Sequence, residues 1–413
     1  MRRTQAKDHS AAAPRSTPGL FPAPVQPEAV DADVPGAIGH ALEQVLEDRL
    51  SRAVVLDARF ADELAQRVAR FTREGGKRTR SQLLWWAMRA CGGNDSHTAV
   101  AALRIGAALE LLQTCALVHD DVMDGSALRR GRPALHADVR DRYEDAATSE
   151  RAARFGEATA VLAGDLALAW ADDVVAETAL DPRTATAVRE VWSDMRTEMV
   201  AGQFLDLQGQ LTGSRSPSQA LRTAHLKSAL YSVQRPLALG ATVAGADGRT
   251  TRALCSAGRC VGMAFQLRDD LDDVFGDPRH TGKSCGGDIR DGKPTYLAAL
   301  ALARAEATAD RPALTVLEQA LGKQDLTPAD LDRVREVLVR TRVRAEVEAK
   351  IECLSAQGLR HFDGALLDPD AAGRLRALLA AAAAPRAAQG PPARSHPVSP
   401  MDADACGAPE HRR

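Results

Sequence analysis

Two short acidic stretches combine residue types and spacings that could do chemistry. In the first, LVHDDVMDGSALRRG, Asp120, Asp121 and Asp124 are followed closely by Arg129 and Arg130. The run before it, residues 101–118, has apolar residues at helical spacing and no proline. Asp120 and Asp124 should therefore stand one turn apart on one helix face. In the second stretch, GMAFQLRDDLDDVFGD, Asp269, Asp270 and Asp273 repeat that spacing, with Asp272 as an extra acid. Each cluster closes an apolar helical run, and a helix C-terminus disfavours anions. One such cluster reads equally well as a solvated acidic turn. Two of one design, facing each other across a cavity, would need cations between them. Hard divalent ions take carboxylate oxygens, and Mg²⁺ usually completes its shell with water and phosphate oxygens. The chemistry that follows is metal-assisted departure of a diphosphate.

Basic and amide side chains recur elsewhere in patterns that suit an anion. In GGKRTR at 75–80, Lys77 and Arg80 precede the helix expected over 81–90, where backbone amides add to their charge. A plain basic turn is the alternative. Gln203 and Asp206 are i,i+3 in GQFLDL, and Lys227 and Ser228 open an apolar helix. Lys283 and Lys293 fall in the Gly-rich stretch TGKSCGGDIRDGKPTY, which reads as a mobile lid. Gln113 and Gln266 are polar positions shortly before each aspartate cluster, while His119 and Cys115 read as packing residues.

Taken together, DDVMDGSALRRG, FQLRDDLDD, GGKRTR, GQFLDL, KSALYS and TGKSCGGDIRDGKPTY resemble, in order, the signatures of the trans-polyprenyl diphosphate synthases. The resemblance runs from about residue 40 to about 300, and less distinctly to about 380. It implies an all-α helical bundle of the isoprenoid-synthase type around a deep central cavity, acting as a homodimer. It also implies isopentenyl diphosphate and an allylic diphosphate as substrates. Asp120, Asp121, Asp124, Asp269, Asp270, Asp273 and possible further acid Asp206 would hold Mg²⁺, three ions in all. Arg129, Lys227 and Lys283 would then contact the allylic diphosphate, and Lys77, Arg80 and Arg130 the homoallylic one. Lys293, Gln113, Gln203, Gln266 and Ser228 would line the substrates. Aromatic residues at the positions of Cys115 and Ala116 floor the cavity in fifteen-carbon synthases. Here both are small, so a twenty-carbon product, geranylgeranyl diphosphate, is expected unless Leu112 or another helix sets the floor. Farnesyl or longer-chain synthesis is the neighbouring reading. A class I terpene cyclase would not need GGKRTR or the Arg129–Arg130 pair. A catalytically silent subunit should lack some of these residues, and a purely structural bundle explains neither aspartate cluster.

The elements that must position these residues read as long helices. β-branched alternating runs are scarce, Ala, Leu, Arg and Glu dominate, and Gly and Pro cluster only at points such as 91–95, 131–133 and 213–217. Residues 137–155 look like an inserted loop. The proline-dotted stretch 1–36 and the stretch from 385 to the end read as disordered tails, spacers or docking segments for a partner or compartment, with one domain over 37–384. The 413 residues carry a net charge of −2, which gives no reason to expect a nucleic-acid partner. No signal-peptide core or membrane-length apolar run is apparent, and seven scattered cysteines, Cys255 and Cys260 among them, fit reduced thiols. A cytoplasmic location is the expectation.

Overall fold

The computed structural model describes residues 24–277 and 285–384. Lys283 and the expected tail segments 1–23 and 385–413 lie outside the described residues. Helices dominate what is described. In chain order they begin α1 (Pro27–Ala32), α2 (Val34–Leu56), α3 (Ala58–Phe60), α4 (Gln66–Arg73), α5 (Thr79–Ala90) and α6 (Ser96–Met123). They continue with α7 (Leu135–Tyr143), α8 (Ser149–Glu177), α9 (Pro182–Thr212), α10 (Pro217–Ala224), α11 (Arg235–Val243) and α12 (Gly248–Phe275). The last are α13 (Gly287–Arg290), α14 (Tyr296–Ala307), α15 (Arg311–Ala320), α16 (Pro328–Arg340), α17 (Val343–Asp363) and α18 (Pro369–Ala383). A π-helical segment, His225–Gln234, joins α10 to α11. The expected all-α architecture is what is found.

Side-chain caps define the two helices that matter most. Asp95 accepts from the Thr98 amide at 2.9 Å to start α6, and Asp247 accepts from the Thr250 amide at 2.8 Å to start α12. Helix α6 packs on α8, and α12 on α17 and the π-helical segment. By length and composition α6 could cross a membrane, contrary to the sequence expectation that no run is long enough. However, 78% of its apolar window is buried inside the protein, so it is a core helix.

The apolar core falls into two clusters, and α12 belongs to both. Its Leu254, Ala257 and Val261 join the cluster formed with α2, α5, α6 and α8. Its Ala264, Leu267, Leu271 and Val274 join the cluster of α14 to α17. The second aspartate cluster therefore rests on the second core, and the first on the other.

Two segments differ from expectation. Residues 27–36 are helical and packed: Val30 and Val34 are buried, and Asp31 accepts from Trp85 Nε1 at 2.8 Å. Pro27 and Pro35 sit in first turns, where proline removes no helical hydrogen bond. Residues 137–155 are also largely helical, with Leu135, Ala137 and Val139 buried. Gly156 allows α8 to close on α7, since a Cβ there would lie 2.3 Å from the His136 carbonyl oxygen. Tyr143 and Phe155 meet edge to face at 4.9 Å.

Candidate active site

Asp120, near the end of α6, is the hub of the site. Its Oδ1 accepts from Lys227 Nζ at 3.1 Å and Gln203 Nε2 at 3.2 Å, and its Oδ2 from Arg129 Nη2 at 3.3 Å. Lys227 also donates to Asp206 Oδ2 at 2.6 Å, so one ammonium joins α6, α9 and the π-helical segment. A glycine makes this possible. A Cβ at Gly202 would lie 2.3 Å from the Lys227 backbone nitrogen, so only glycine lets α9 come this close. Burial raises the Asp120 carboxyl, but Lys227, Lys293 and Arg129 outweigh it and hold the group below its ordinary value. Lys227 is the mirror case: burial disfavours its charge, and Asp120 with Asp206 more than restores it.

Arg129 reaches back to α6 through a short hairpin. Leu128–Arg129 pairs antiparallel with Arg132–Pro133, with Arg129 opposite Arg132. The turn residues Arg130 and Gly131 have φ of 54° and 74°, the positive values a two-residue I′ turn requires. Arg129 Nε thereby donates to Asp121 Oδ1 at 2.8 Å. Arg130 is sent elsewhere: its Nη1 donates to the Glu74 carbonyl at 2.9 Å and its guanidinium lies over the Phe71 ring. The adjacent arginines thus point to separate places.

Lys293 lies between the first aspartate cluster and Asp288: its Nζ donates to Asp124 Oδ2 at 2.6 Å, and it feels the charge of Asp288. Burial opposes the Lys293 charge, while Asp124, Asp288 and Asp120 together hold its ammonium above the ordinary range. The loop lysine with the weakest sequence signal is thus central. Gln266 Nε2 donates to Asp270 Oδ1 at 2.8 Å, a turn away on the same helix. Burial, with Asp288, Asp269 and Asp273 adding repulsion, pushes the Asp270 carboxyl well above its usual value. Asp273 accepts from the amides of Gly287 and Asp288 at 3.2 and 3.1 Å and caps α13. Asp273, which the sequence reading expected on a metal, takes these two amides as well.

Sequence reasoning missed four residues here. Asp288 lies half-buried beside Asp273, and desolvation plus that neighbour's charge push its carboxyl up to about 7. Tyr231 donates to Gln113 Oε1 at 2.8 Å and supports Arg80, whose guanidinium sits 4.5 Å over its ring. Arg80 also donates to Ser232 Oγ at 2.9 Å. Glu110 is buried and accepts from Ser81 Oγ at 2.6 Å. A lone acid in an otherwise apolar run, i,i+3 from Gln113, was the signal that could have found Glu110. Lys77 is exposed at the start of α5, and Ser228 is half-buried beside Lys227. Leu112 and Cys115 are buried and Ala116 half-buried. His119 bonds the Val161 carbonyl at 3.0 Å and lies 3.8 Å from Cys115 Sγ, so both pack towards α8 as expected.

Among the described residues, no three acids, histidines or cysteines stand close enough to hold a metal as they are. Lysines lie against the carboxylates instead. Even so, the donor set fits a hard cation. Asp121 Oδ2 and Asp124 Oδ1 are buried without a hydrogen-bond partner, and desolvation, with repulsion from neighbouring carboxylates, raises the carboxyls of Asp270 and Asp288.

That shift has a pH signature. Asp270 and Asp288 keep their protons to higher pH in the folded protein than in the unfolded chain. Between the ordinary carboxylate range and about 7, the native state binds more protons, so stability falls as pH rises. In EDTA the melting temperature should drop by several degrees from about pH 5 to about pH 8, and Mg²⁺ should raise it more at the higher pH. A metal-independent, flat profile would count against an acid cluster that needs a cation.

Comparison with known proteins agrees with this geometry. The polyprenyl synthetase family model matches residues 61–338. The chain is 35% identical over 240 residues to the farnesyl diphosphate synthase of Geobacillus stearothermophilus, covering 56% of this chain and 73% of that one. It is 32% identical over 224 residues to the geranylgeranyl diphosphate synthase of Methanosarcina mazei, covering 54% of this chain and 62% of that one. A solved geranylgeranyl pyrophosphate synthase from Corynebacterium glutamicum, complexed with isoprenyl diphosphate and magnesium, superposes with a TM-score of 0.79. It is 35% identical and covers 85% of this chain and 98% of its own. The chain belongs to the polyprenyl synthetase family and is a prenyltransferase.

Proposed function

We propose that the chain condenses isopentenyl diphosphate with an allylic diphosphate, releases pyrophosphate and makes geranylgeranyl diphosphate. The observation that carries this is the convergence of Lys227, Arg129 and Lys293 on Asp120, Asp121 and Asp124, with a second cationic region at Arg80 and Arg130. Asp120, Asp121 and Asp124, with Asp269 and Asp270, would hold Mg²⁺, three ions in all, and the charge supplied there stabilises the leaving diphosphate.

The chain's own groups supply the rest. Lys227, Arg129 and Lys293, now paired with carboxylates, would turn their donors to the allylic diphosphate once cations neutralise those acids. Arg80, braced by Tyr231 and Ser232, would with Lys77 and Arg130 orient the homoallylic diphosphate. Attack of its double bond on the allylic carbon releases pyrophosphate, and the departing pyrophosphate can take the proton that is then lost. Closure against water protects the cation meanwhile.

Product length rests on Ala116, the small, half-buried residue one turn before Asp120. Ala116→Phe should shift the product from twenty to fifteen carbons. The readout is product mass after dephosphorylation, starting from isopentenyl and farnesyl diphosphates with Mg²⁺ for the native chain. A native ceiling at fifteen carbons would favour the farnesyl reading. No elongation by folded protein would remove the function itself. We also propose a homodimer, supported by exposed apolar residues on α8 (Phe155, Val161, Leu162) and α9 (Val200, Phe204). A cytoplasmic location is proposed with it, and the free cysteines among the described residues are compatible with a reducing compartment.

A further inference from the structure

A second cavity, of about 710 Å³, opens between α15, α16 and α17 at the C-terminal end of α12. Its volume is that of a small-molecule pocket. None of the residues assigned above to the reaction lines it. Phe275, Val316 and Val337 give it an apolar side, and Arg333, Arg335, Arg340 and Arg344 line it together with one carboxylate, Glu336.

The arginines are held in place without a ligand. Arg335 Nη1 pairs with Asp332 at 2.8 Å, Arg340 Nη1 with Asp310 at 2.8 Å, and Arg344 Nε with Glu348 at 2.9 Å. Arg333 pairs with Asp330. These contacts use one or two of the five donors each guanidinium has. The neighbouring carboxylates also cancel much of the long-range field, which disfavours loose capture of simple ions. What remains is a set of planar donors, mostly exposed, beside a hydrophobic patch on which Arg344 itself lies. That combination suits an anion with several oxygens joined to an apolar body.

The cavity is also coupled to the second aspartate helix. Arg335 Nε donates to the Val274 carbonyl at 2.7 Å, and Arg344 lies 4.5 Å over the Phe275 ring. Both contacts fall within two residues of Asp273. An occupant that recruits these arginines therefore pulls on the end of α12.

We propose that this cavity is a second ligand site, separate from the reaction cavity, for an organic diphosphate. Its oxygens sit on the arginines and its hydrocarbon on the Phe275–Val337 patch. The probe is farnesyl thiodiphosphate, which resists ionisation, titrated calorimetrically into the full chain with Mg²⁺. Two sites per chain are expected, and the double variant Arg340→Gln, Arg344→Gln should keep one, with its basal turnover unchanged. The lost site should bind inorganic pyrophosphate at least tenfold more weakly than the probe. A single site in the native chain, or two in the variant, would overturn the proposal. Equal binding of pyrophosphate would overturn the hydrocarbon patch. Turnover in the same samples tests the proposed reaction independently of this site.

Discussion

Asp120→Asn lowers turnover on the order of a thousandfold while the protein stays folded. The expectation follows from the number of groups that converge on one carboxylate. Asp120 accepts from Lys227, Gln203 and Arg129 and lies in the field of Lys293. Asparagine keeps the shape and one acceptor oxygen but loses the charge that both the cations and a bound metal require. Stability should change little, since Asp206, Asp121 and Asp124 still face Lys227, Arg129 and Lys293. Steady-state rates beside a melting curve make the check. Turnover within tenfold of the native chain would remove Asp120 from the metal site.

Lys227→Met should be the more damaging change to the fold. The lysine is the shared partner of Asp120 and Asp206, and its removal leaves two partly buried carboxylates close together. Losing one member of a buried ion pair costs about 3–5 kcal/mol; with its side chain about a quarter exposed, Lys227 belongs at or below the low end, about 2–3 kcal/mol. Activity should fall by on the order of a hundredfold or more, because the same ammonium is offered to the departing diphosphate. The distinguishing readout is metal dependence. Mg²⁺ should recover more melting temperature in the variant than in the native chain, because it supplies the missing positive charge. If native and variant proteins melt together in EDTA, the bridge contributes nothing to stability.

The sequence made the carboxylates legible because their i,i+4 spacing survives folding unchanged: Asp120 and Asp124 do share the end of α6. The partners of these acids were harder to read. Lys293 pairs with Asp124 across 169 residues of chain, a separation no local pattern encodes. Asp288 looks like an ordinary turn residue in a Gly-rich stretch, and only packing against Asp273 makes it unusual. Tyr231 sits in a run that reads as apolar, and its hydroxyl gains meaning from Gln113 on another helix. The helices at 27–36 were hidden by proline count, because tolerance of proline depends on its place in a helix rather than its frequency. Residues 137–155 show the reverse error. Their length beyond the compact members of the resembled family suggested a loop, although Ala137 and Val139 anchor a helix among them.

Because α12 is shared by both apolar clusters, the C-terminal third of the chain is not an appendage that can be trimmed. A chain ending before Tyr296 would contain every acid assigned to the reaction. It would lack α14 to α17, the surface on which Leu267, Leu271 and Val274 rest. The first aspartate cluster would lose the part of its support that Phe362, Leu375 and Leu379 supply, and the second would be left on a helix with one apolar face bare to water. Premature termination there should thus act like loss of an active-site residue, though none has been removed. Selection on the reaction accordingly extends to leucines and valines far along the chain from any charge that does chemistry.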